Sequence, residues 1–372
     1  MSHPARKIIG VIGLGIIGRG VTANLRQKGF QVFVWNRTPR RVPNFIGSPG
    51  ELAETCDCLE IFVSDDRALL ETVRRLTEKL TSRHIVIAHS TVAPDSMRAA
   101  AEMVEHRGGR FVEAPFTGSK LAAEKGELVY YVAGNDAALR EARPILEASS
   151  KEIIETGEIG QASAIKIATN MVTAASVQAA AEALGLIQAL GVPLQKFVEA
   201  MQVNASHSTT LAMKMPKMTE ANFEPHFSVK HMLKDMEIAN QIGSSHHLEL
   251  GVTSAARDRL VEQLQLGHGD DDFSAVARKY LPEIPPVGQK DAEAASDNAQ
   301  ADSDAISPAL EPILADFEEP QSEQESERTV SAEPAPFGEE TKEATRPRAG
   351  FFIRLLRRGK QLLKQPISSK GA

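Results

Sequence analysis

Cysteine is nearly absent from this sequence, and the little that is present cannot build a covalent framework. The 372 residues contain two cysteines, Cys56 and Cys58, separated by one residue. Such a pair excludes a disulfide-stabilised fold, and without a second cluster of ligands it is weak ground for a metal site. The adjacent His246 and His247 cannot easily share one ion either. We therefore expect no metal site and two buried, structural thiols.

Charge of a single sign is also missing from most of the chain. Residues 1–280 carry 31 Lys and Arg against 32 Asp and Glu. This near neutrality argues against a nucleic-acid-binding surface. The imbalance lies further along, because residues 281–345 hold 3 basic and 17 acidic residues, whereas residues 346–372 hold 8 basic residues and no acidic one.

Long hydrophobic runs are scarce. The apolar run that starts at residue 8 is short and broken by glycine, which argues against a signal peptide, so we expect a cytoplasmic protein. Residues 171–191 carry one charged side chain, Glu182, and a membrane span must be weighed there. Gln178, Gln188 and several small polar residues favour instead a helix that is apolar nearly all round and packed inside the protein.

Strands that alternate with helices predict an α/β fold for residues 1–160. Apolar runs predict strands at 8–12, 31–35, 59–63, 85–89, 111–114, 128–133 and 152–155, and helical spacing recurs at 21–28, 66–80 and 94–105. This order is typical of a doubly wound, parallel Rossmann sheet. Three prolines between residues 39 and 49 leave little room for a helix after the second strand. We interpret His84 and His89, which flank the fourth strand, as hydrogen-bonded polar ends rather than bases.

From residue 161 the pattern becomes helical only. Helical segments at 162–190, 194–202, 229–242, 253–266 and 273–280 predict an all-helical domain over residues 161–280. The composition of residues 281–345, rich in Pro, Glu, Asp and Ser, predicts a disordered acidic linker. Within residues 346–372, apolar residues at helical spacing among arginines and lysines predict a short basic amphipathic helix.

A glycine-rich turn follows the first predicted strand. It consists of Gly13, Leu14, Gly15, Ile16, Ile17 and Gly18, and it opens a predicted helix. In this context the first glycine allows a tight turn, the second lets the backbone approach a pyrophosphate, and the third lets helix and strand pack closely. The helix N-terminus then offers backbone N–H groups to the phosphates. The turn predicts a dinucleotide-binding domain.

The end of the second strand bears on which dinucleotide is bound. An acidic residue at this position would hold the ribose 2′-hydroxyl of NAD, but the sequence has Asn36, Arg37 and Thr38. An arginine suits a 2′-phosphate, so we expect NADP rather than NAD. A solvated surface arginine is the alternative interpretation.

Five stretches together resemble the β-hydroxyacid dehydrogenase family, whose members are 6-phosphogluconate dehydrogenase-like and include 3-hydroxyisobutyrate dehydrogenases and glyoxylate/succinic semialdehyde reductases. In chain order they are the glycine turn 13–18, Ser90-Thr91-Val92-Ala93-Pro94, Glu113-Ala114-Pro115-Phe116-Thr117-Gly118-Ser119, residues 157–170, and Lys234-Asp235. They span nearly all of residues 1–280. The resemblance implies a Rossmann domain, a helical domain over residues 161–280 for substrate binding and dimerisation, and a nicotinamide cofactor. It also implies a homodimer or higher homo-oligomer, with the long helix near residues 171–190 central to it.

The resemblance also implies roles for individual residues. Lys166 matches the family's catalytic lysine and Asn170 its companion, and their spacing of four places both side chains on one helical face. A lysine can donate a proton to a developing alkoxide when burial and neighbouring groups lower its pKa. Asp235 is expected to orient structure.

The remaining matched positions are expected to hold the cofactor and the substrate. Cofactor contacts are implied for Ser64, Thr91 and Lys234, in addition to the glycine turn and residues 36–38. Thr117, Gly118 and Ser119 match the family's substrate-binding turn, which is suited to holding a carboxylate. Ser119 resembles the glyoxylate/succinic semialdehyde reductase branch, whereas Thr117 and Phe116 depart from the usual pattern.

Two functions remain open at this stage. The first is an NADP(H)-dependent enzyme that reduces a small carboxylate-bearing aldehyde or oxidises the matching hydroxy acid. The second is a catalytically retired NADP-binding scaffold or sensor that is targeted through its C-terminal tail, although the intact Lys166 and Asn170 argue against it. Under either function residues 346–372 are candidates for peripheral contact with an anionic membrane. Docking on the acidic linker, or no structure at all, are the alternatives.

Overall fold

The computed structural model describes residues 7–282, in which a sheet is followed by a group of helices. The strands are β1 Ile9–Ile12, β2 Val32–Trp35, β3 Cys58–Ile61, β4 Ile85–Ala88, β5 Arg110–Glu113, β6 Phe116–Thr117, β7 Leu128–Ala133 and β8 Ser150–Gly157. The first six helices are α1 Ile16–Gln27, α2 Pro49–Thr55, α3 Asp66–Leu76, α4 Pro94–Glu105, α5 Lys120–Lys125 and α6 Asp136–Leu146. The helical part comprises α7 Gln161–Ala189, α8 Leu194–Gln202, α9 Thr209–Thr219, α10 Val229–Ser245, α11 Gly251–Gln265 and a 3-10 helix, Phe273–Lys279. Almost all of the predicted linker and the whole basic tail lie outside the described residues.

The sheet confirms the Rossmann-type α/β architecture. Its strands follow the order β2-β1-β3-β4-β5-β7-β6, and β8 also pairs with β7. The first five strands are parallel, and β1, β3 and β4 are buried along their whole length because helices cover both faces. The sheet is not parallel throughout, since β7 runs antiparallel to β5 and β6. The expected parallel extension of the sheet was therefore wrong where β7 pairs with β5 and β6, although β8 pairs in parallel with β7.

Local sequence explains where the helices of the first half begin. Asp65 accepts a hydrogen bond from the N–H of Ala68 and so caps α3, while Ser48 caps α2 directly before Pro49. The helix α4 likewise starts with a proline, Pro94. No helix occupies residues 38–48, as the three prolines predict.

Three helices were missed in the sequence. Helix α6 contains Pro144 and α9 contains Pro216, and a proline within a helical stretch normally signals a break. Both prolines lie in the second half of short helices. The third, α5, has only six residues. Helix signals this short are weak without the tertiary contacts that stabilise them.

The long helix α7 is not enclosed on all sides. Residues such as Val177, Ala181 and Leu184 are buried in the helical core, but Val172 and Leu186 are 68% and 61% exposed. The expectation of a helix packed inside the protein nearly all round is thus wrong for this face. Among residues 7–282, no helix is long and apolar enough to cross a membrane.

Both cysteines are buried, as predicted. Burial raises the pKa of the Cys56 thiol to about 12 and that of Cys58 well above its ordinary value. Neither thiol is therefore poised as a thiolate nucleophile.

Candidate functional site

The three glycines of the turn after β1 do different physical work. A Cβ on Gly13, whose φ is +98°, would overlap the carbonyl oxygen of Phe62, and one on Gly18 would overlap the carbonyl oxygen of Gly13. Packing of the chain itself therefore requires these two glycines. A Cβ on Gly15 would meet no atom within 4 Å. The fold itself therefore does not require a glycine there, and the open space beside Gly15 suits a ligand that approaches the backbone.

The turn is held in place from the neighbouring strand end. The side chain of Asn36 accepts a hydrogen bond from the N–H of Leu14 at 2.9 Å and donates one to the carbonyl of Thr38 at 2.8 Å. Helix α1 then starts at Ile16 with Gly15 in extended geometry and without a side-chain cap. The first-turn N–H groups, including that of Ile17, are therefore available for a phosphate. This cradle and its donors fit a dinucleotide.

Two positively charged side chains act on a carboxylate that follows β3. The exposed Ser64 donates a hydrogen bond to Asp65 at 2.6 Å. Burial opposes ionisation of Asp65, but the hydrogen bonds from Ser64 and Ala68 and the charges of Lys234 and Arg37 outweigh it and lower the pKa. Arg37, from the end of β2, and Lys234, from α10, thus act on the same carboxylate. Sequence reasoning missed Asp65, although its capping position three residues before Ala68 was a readable signal.

A continuous chain of hydrogen bonds links the predicted catalytic pair to α10. Lys166 Nζ donates to Asn170 Oδ1 at 3.0 Å, and Asn170 Nδ2 donates to Asp235 Oδ2 at 2.6 Å. The other oxygen of Asp235 accepts from Lys234 Nζ at 2.7 Å. Asp235 is fully buried, so its charge is compensated by these partners. The predicted orienting role of Asp235 agrees with this geometry.

The same chain reaches the sheet. Lys234 Nζ also donates to the backbone carbonyl of Thr91, in the loop between β4 and α4. The N–H of Ala93 in this loop donates to Asp66 at 3.0 Å. The structure therefore brings Thr91, Lys166, Asn170 and Lys234 into one connected region.

Lys166 has the electrostatic character of a proton-transfer group. Burial lowers its pKa to about 8, the charge of Asp235 opposes this change, and the charge of Lys234 adds to it. At neutral pH the Lys166 side chain is mostly protonated, and a modest rise in pH produces the free amine. A side chain with such a pKa can serve as acid in one direction and base in the other.

The predicted substrate turn is solvent-facing. Thr117 ends β6, and Gly118 adopts a φ of +145°, a conformation that favours glycine. The hydroxyl of Ser119 accepts a long hydrogen bond, 3.4 Å, from the N–H of Ala122 and thereby caps α5. Ser119 thus has a structural task besides any contact with substrate.

The two histidines differ, in part against expectation. Both ring nitrogens of His84 are hydrogen-bonded, to the N–H of Thr81 and the carbonyl of Ala53. His89 bonds the carbonyl of Ala114 through Nδ1, but its buried Nε2 has no hydrogen-bond partner within residues 7–282. The expectation of satisfied ends was therefore wrong for His89. Its ring stacks on Phe62, and burial lowers its pKa to about 3, so it stays neutral.

Comparisons with known proteins agree with the two-part organisation of the site. Residues 8–157 match the NAD binding domain of 6-phosphogluconate dehydrogenase, and residues 160–280 match the NAD-binding domain of NADP-dependent 3-hydroxyisobutyrate dehydrogenase. A 3-hydroxyisobutyrate dehydrogenase from Mycobacterium tuberculosis, solved with L-serine, superposes with a TM-score of 0.67 at 26% identity, covering 74% of this chain and 99% of that chain.

Curated relatives extend the match. Glyoxylate/succinic semialdehyde reductase 1 of Arabidopsis thaliana is 31% identical over 278 residues, which cover 72% of this chain and 96% of the relative. Cytokine-like nuclear factor N-PAC of Homo sapiens is 30% identical over 288 residues, 75% of this chain, but the match spans only about half, 52%, of that relative. The chain belongs to the β-hydroxyacid dehydrogenase family and is an NAD(P)-dependent oxidoreductase that acts on CH–OH groups.

Proposed function

We propose that this protein is an NADP(H)-dependent oxidoreductase of small aldehydes that carry a carboxylate, such as glyoxylate or succinic semialdehyde. It either reduces the aldehyde or oxidises the matching hydroxy acid. The observation that carries the proposal is the hydrogen-bonded chain Lys166–Asn170–Asp235–Lys234, in which the lysine has a pKa of about 8. A partly buried lysine that is held by a buried amide and has a lowered pKa is typical of functional sites.

Each residue of the site has a task in this reaction. Lys166 donates a proton to the carbonyl oxygen of the substrate during reduction and takes it back during oxidation. Asn170 holds the ammonium group in place, and Asp235 fixes the amide of Asn170. The exposed turn at Thr117, Gly118 and Ser119 holds the substrate carboxylate through hydroxyl and N–H groups. The bound nicotinamide supplies the hydride for the carbonyl carbon.

The cofactor is held by groups that follow four strands, β1 to β4, and by α10. The N–H groups at the start of α1 bind the pyrophosphate, and Gly15 leaves room for its approach. Ser64, Thr91 and Lys234 make further contacts in this proposal, with Thr91 at the nicotinamide end and Lys234 reaching the cofactor from α10. Asn36 holds the glycine turn, while Arg37 and Thr38 are exposed beside it, where a 2′-phosphate would lie.

The preference for NADP(H) is tested at Arg37. Replacing Arg37 by Ser is expected to raise the KM for NADPH at least about tenfold, because a charge-assisted bond to the 2′-phosphate is lost. The KM for NADH should change little. Steady-state kinetics with both cofactors measure this, with Arg107→Ser, an exposed arginine after α4, as the control. Equal losses with both cofactors would contradict a 2′-phosphate contact.

The substrate class is tested with a panel of short aldehydes. The name of the Arabidopsis relative supports glyoxylate and succinic semialdehyde as the first two members. Aldehydes of matched length without a carboxylate serve as controls, each assayed with NADPH and with NADH. Turnover of the acids but not of their uncharged counterparts supports the proposal, and no turnover of any acid refutes it. That result would favour the alternative function, a catalytically retired NADP-binding scaffold or sensor.

The pH dependence should follow Lys166. Its pKa of about 8 means that protonated lysine, the donor for reduction, disappears as the pH rises through 8. We therefore expect kcat for reduction to fall above pH 8 and kcat for oxidation to rise over the same range. Initial rates in both directions between pH 6 and pH 10 measure this. A reduction rate that is flat through pH 9 would contradict proton donation by Lys166.

We further propose that the protein is a homodimer or higher homo-oligomer. The exposed apolar residues Val172 and Leu186 of α7, with Leu190 directly after it, support an interface along this helix. The expected binding partners are the small substrate and a second copy of this chain. We also propose that the protein is located in the cytoplasm. Light scattering of the full chain measures the oligomeric state.

The basic tail is proposed to make peripheral contact with anionic membranes. Residues 346–372 combine 8 basic residues with apolar residues at helical spacing, a pattern typical of helices that lie in a membrane interface. The full chain is expected to pellet with vesicles that contain phosphatidylserine, and deletion of residues 346–372 should abolish this. Neutral phosphatidylcholine vesicles are the control. Failure of the full chain to pellet at low salt would exclude the proposal.

A further inference from the structure

Helix α7 starts without a cap of its own, and a carboxylate from the sheet takes that place. Its N-cap residue is Gly160, with a φ of +97° and no side chain. The two oxygens of Glu113 accept hydrogen bonds from the N–H groups of Gly160 and Ser163, both at 2.5 Å. Glu113 is fully buried. A carboxylate at a helix N-terminus is favourable because it meets unpaired N–H donors and the positive end of the helix dipole.

Glu113 stands between the two halves of the site. It is the last residue of β5, and the chain continues from it through Ala114 and Pro115 to the turn at residues 117–119. On the other side of the contact, Lys166 lies three residues beyond Ser163 on α7, about 4.5 Å along the helix axis. One carboxylate thus ties the segment that leads into the predicted substrate turn to the helix that carries Lys166.

The junction between β8 and α7 is short and closely packed. Only residues 158–160 separate β8 from α7. The carbonyl of Gly157 accepts a hydrogen bond from the N–H of Gly134 at 3.1 Å, and a Cβ on Gly160 would overlap the guanidinium of Arg98. Burial raises the pKa of Glu113, and the bonds from Ser163 and Gly160 and the charge of Arg98 act against this rise. Both N–H donors and Arg98 face the carboxylate.

We propose that Glu113 is a positioning residue for the reaction, which sets the place of Lys166 relative to the substrate turn by holding the first turn of α7 against the end of β5. The inference rests on the proposed role of Lys166. Glu113 is fully buried and bonds to backbone N–H groups, so its effect on the reaction passes through the backbone of α7. In reacting groups, a displacement of about 1 Å lowers rates on the order of 100-fold.

Glu113→Gln tests the inference, because the amide offers one acceptor and turns an N–H donor toward the second N–H of the helix. We expect kcat to fall about 10- to 100-fold while the dissociation constant of NADPH stays within about twofold. Loosening of the first turn also admits water, so the pKa of Lys166 should rise from about 8 toward its ordinary value. NMR titration of 13C-methylated lysines measures that pKa without turnover, and Lys166→Arg assigns the resonance.

Glu60→Gln is the matched control. Glu60 is a buried carboxylate of β3 whose Oε2 has no hydrogen-bond partner within residues 7–282, and burial raises its pKa to about 8. Its replacement should leave kcat and the pKa of Lys166 unchanged. A folded Glu113→Gln variant with wild-type values for both quantities would overturn the inference. If that variant does not fold, Glu113→Asp is measured instead, and wild-type values there overturn it equally.

The two proposals fail in different ways. If the wild-type protein turns over no aldehyde but Glu113→Gln still shifts the pKa of Lys166, the proposed function fails and the positioning of Lys166 stands. If the wild-type protein is active and neither Glu113 variant alters kcat or that pKa, the positioning role alone fails.

Discussion

Lys166→Ala is expected to lower kcat for aldehyde reduction by about 10²- to 10⁴-fold, the usual contribution of a positioned general acid. The variant loses the proton donor and leaves Asn170 Oδ1 without the ammonium group that it accepts from. Binding of NADPH should stay close to normal, because the proposed pyrophosphate and adenosine contacts lie at the start of α1 and after β2, not on α7. Stopped-flow or steady-state rates, together with a fluorescence titration of NADPH, measure the two effects separately.

Lys230→Ala is the control for Lys166→Ala. Lys230 lies on α10 and pairs with Asp270 at the surface, so its removal deletes a lysine without touching the hydrogen-bonded chain. Its kcat should equal that of the wild-type protein. If Lys166→Ala keeps activity within a few-fold, another group supplies the proton and the assignment of Lys166 is wrong.

Gly15→Ala is expected to weaken NADPH binding at least about tenfold, or ~1.4 kcal/mol, without unfolding the protein. The φ of Gly15 is −70°, which alanine adopts freely, and its Cβ would meet no protein atom within 4 Å. The methyl group would instead occupy the space where the pyrophosphate approaches the backbone. The free energy of unfolding, measured in urea, should change by less than about 1 kcal/mol.

Gly13→Ala is the contrasting substitution within the same turn. At a φ of +98°, with Cβ overlapping the carbonyl oxygen of Phe62, it should destabilise the fold by more than about 2 kcal/mol. The pair separates a glycine that the fold requires from one that the ligand requires. NADPH binding by Gly15→Ala at wild-type affinity would contradict the cradle.

Much of the site was predictable because its signals are local. The glycine turn follows a strand and opens a helix, and Lys166 and Asn170 are four residues apart on one helix, so spacing alone puts them on one face. Arg37 lies two residues after the end of the second strand. These inferences need only the periodicity of strands and helices. In the structure the glycine turn and Arg37 follow β1 and β2, and Lys166 and Asn170 lie on α7.

Other parts of the site were beyond any local pattern. The carboxylate of Asp235 lies 65 residues from Asn170 in the chain, and Glu113 lies 47 residues from Gly160. No spacing rule predicts a contact between positions so far apart. A single carboxylate at the end of a strand does not indicate which helix it caps. The pKa of Lys166 has the same origin, since burial, Asp235 and Lys234 all depend on how α7 and α10 pack.

The sequence by itself determined the Rossmann-type first half, the helical second half, the glycine turn and the lysine–asparagine pair, because each rests on neighbours within about one or two turns of chain. Only the tertiary structure decided that β7 runs antiparallel to β5, that α7 leaves one apolar face exposed, and that Glu113 closes the start of α7. It also decided that Gly13 is required by the close approach of the Phe62 backbone, whereas Gly15 borders open space. The physical reason is that strand direction, burial and long-range hydrogen bonds depend on contacts between segments far apart in the chain, and those contacts leave no periodic trace in the residues that make them.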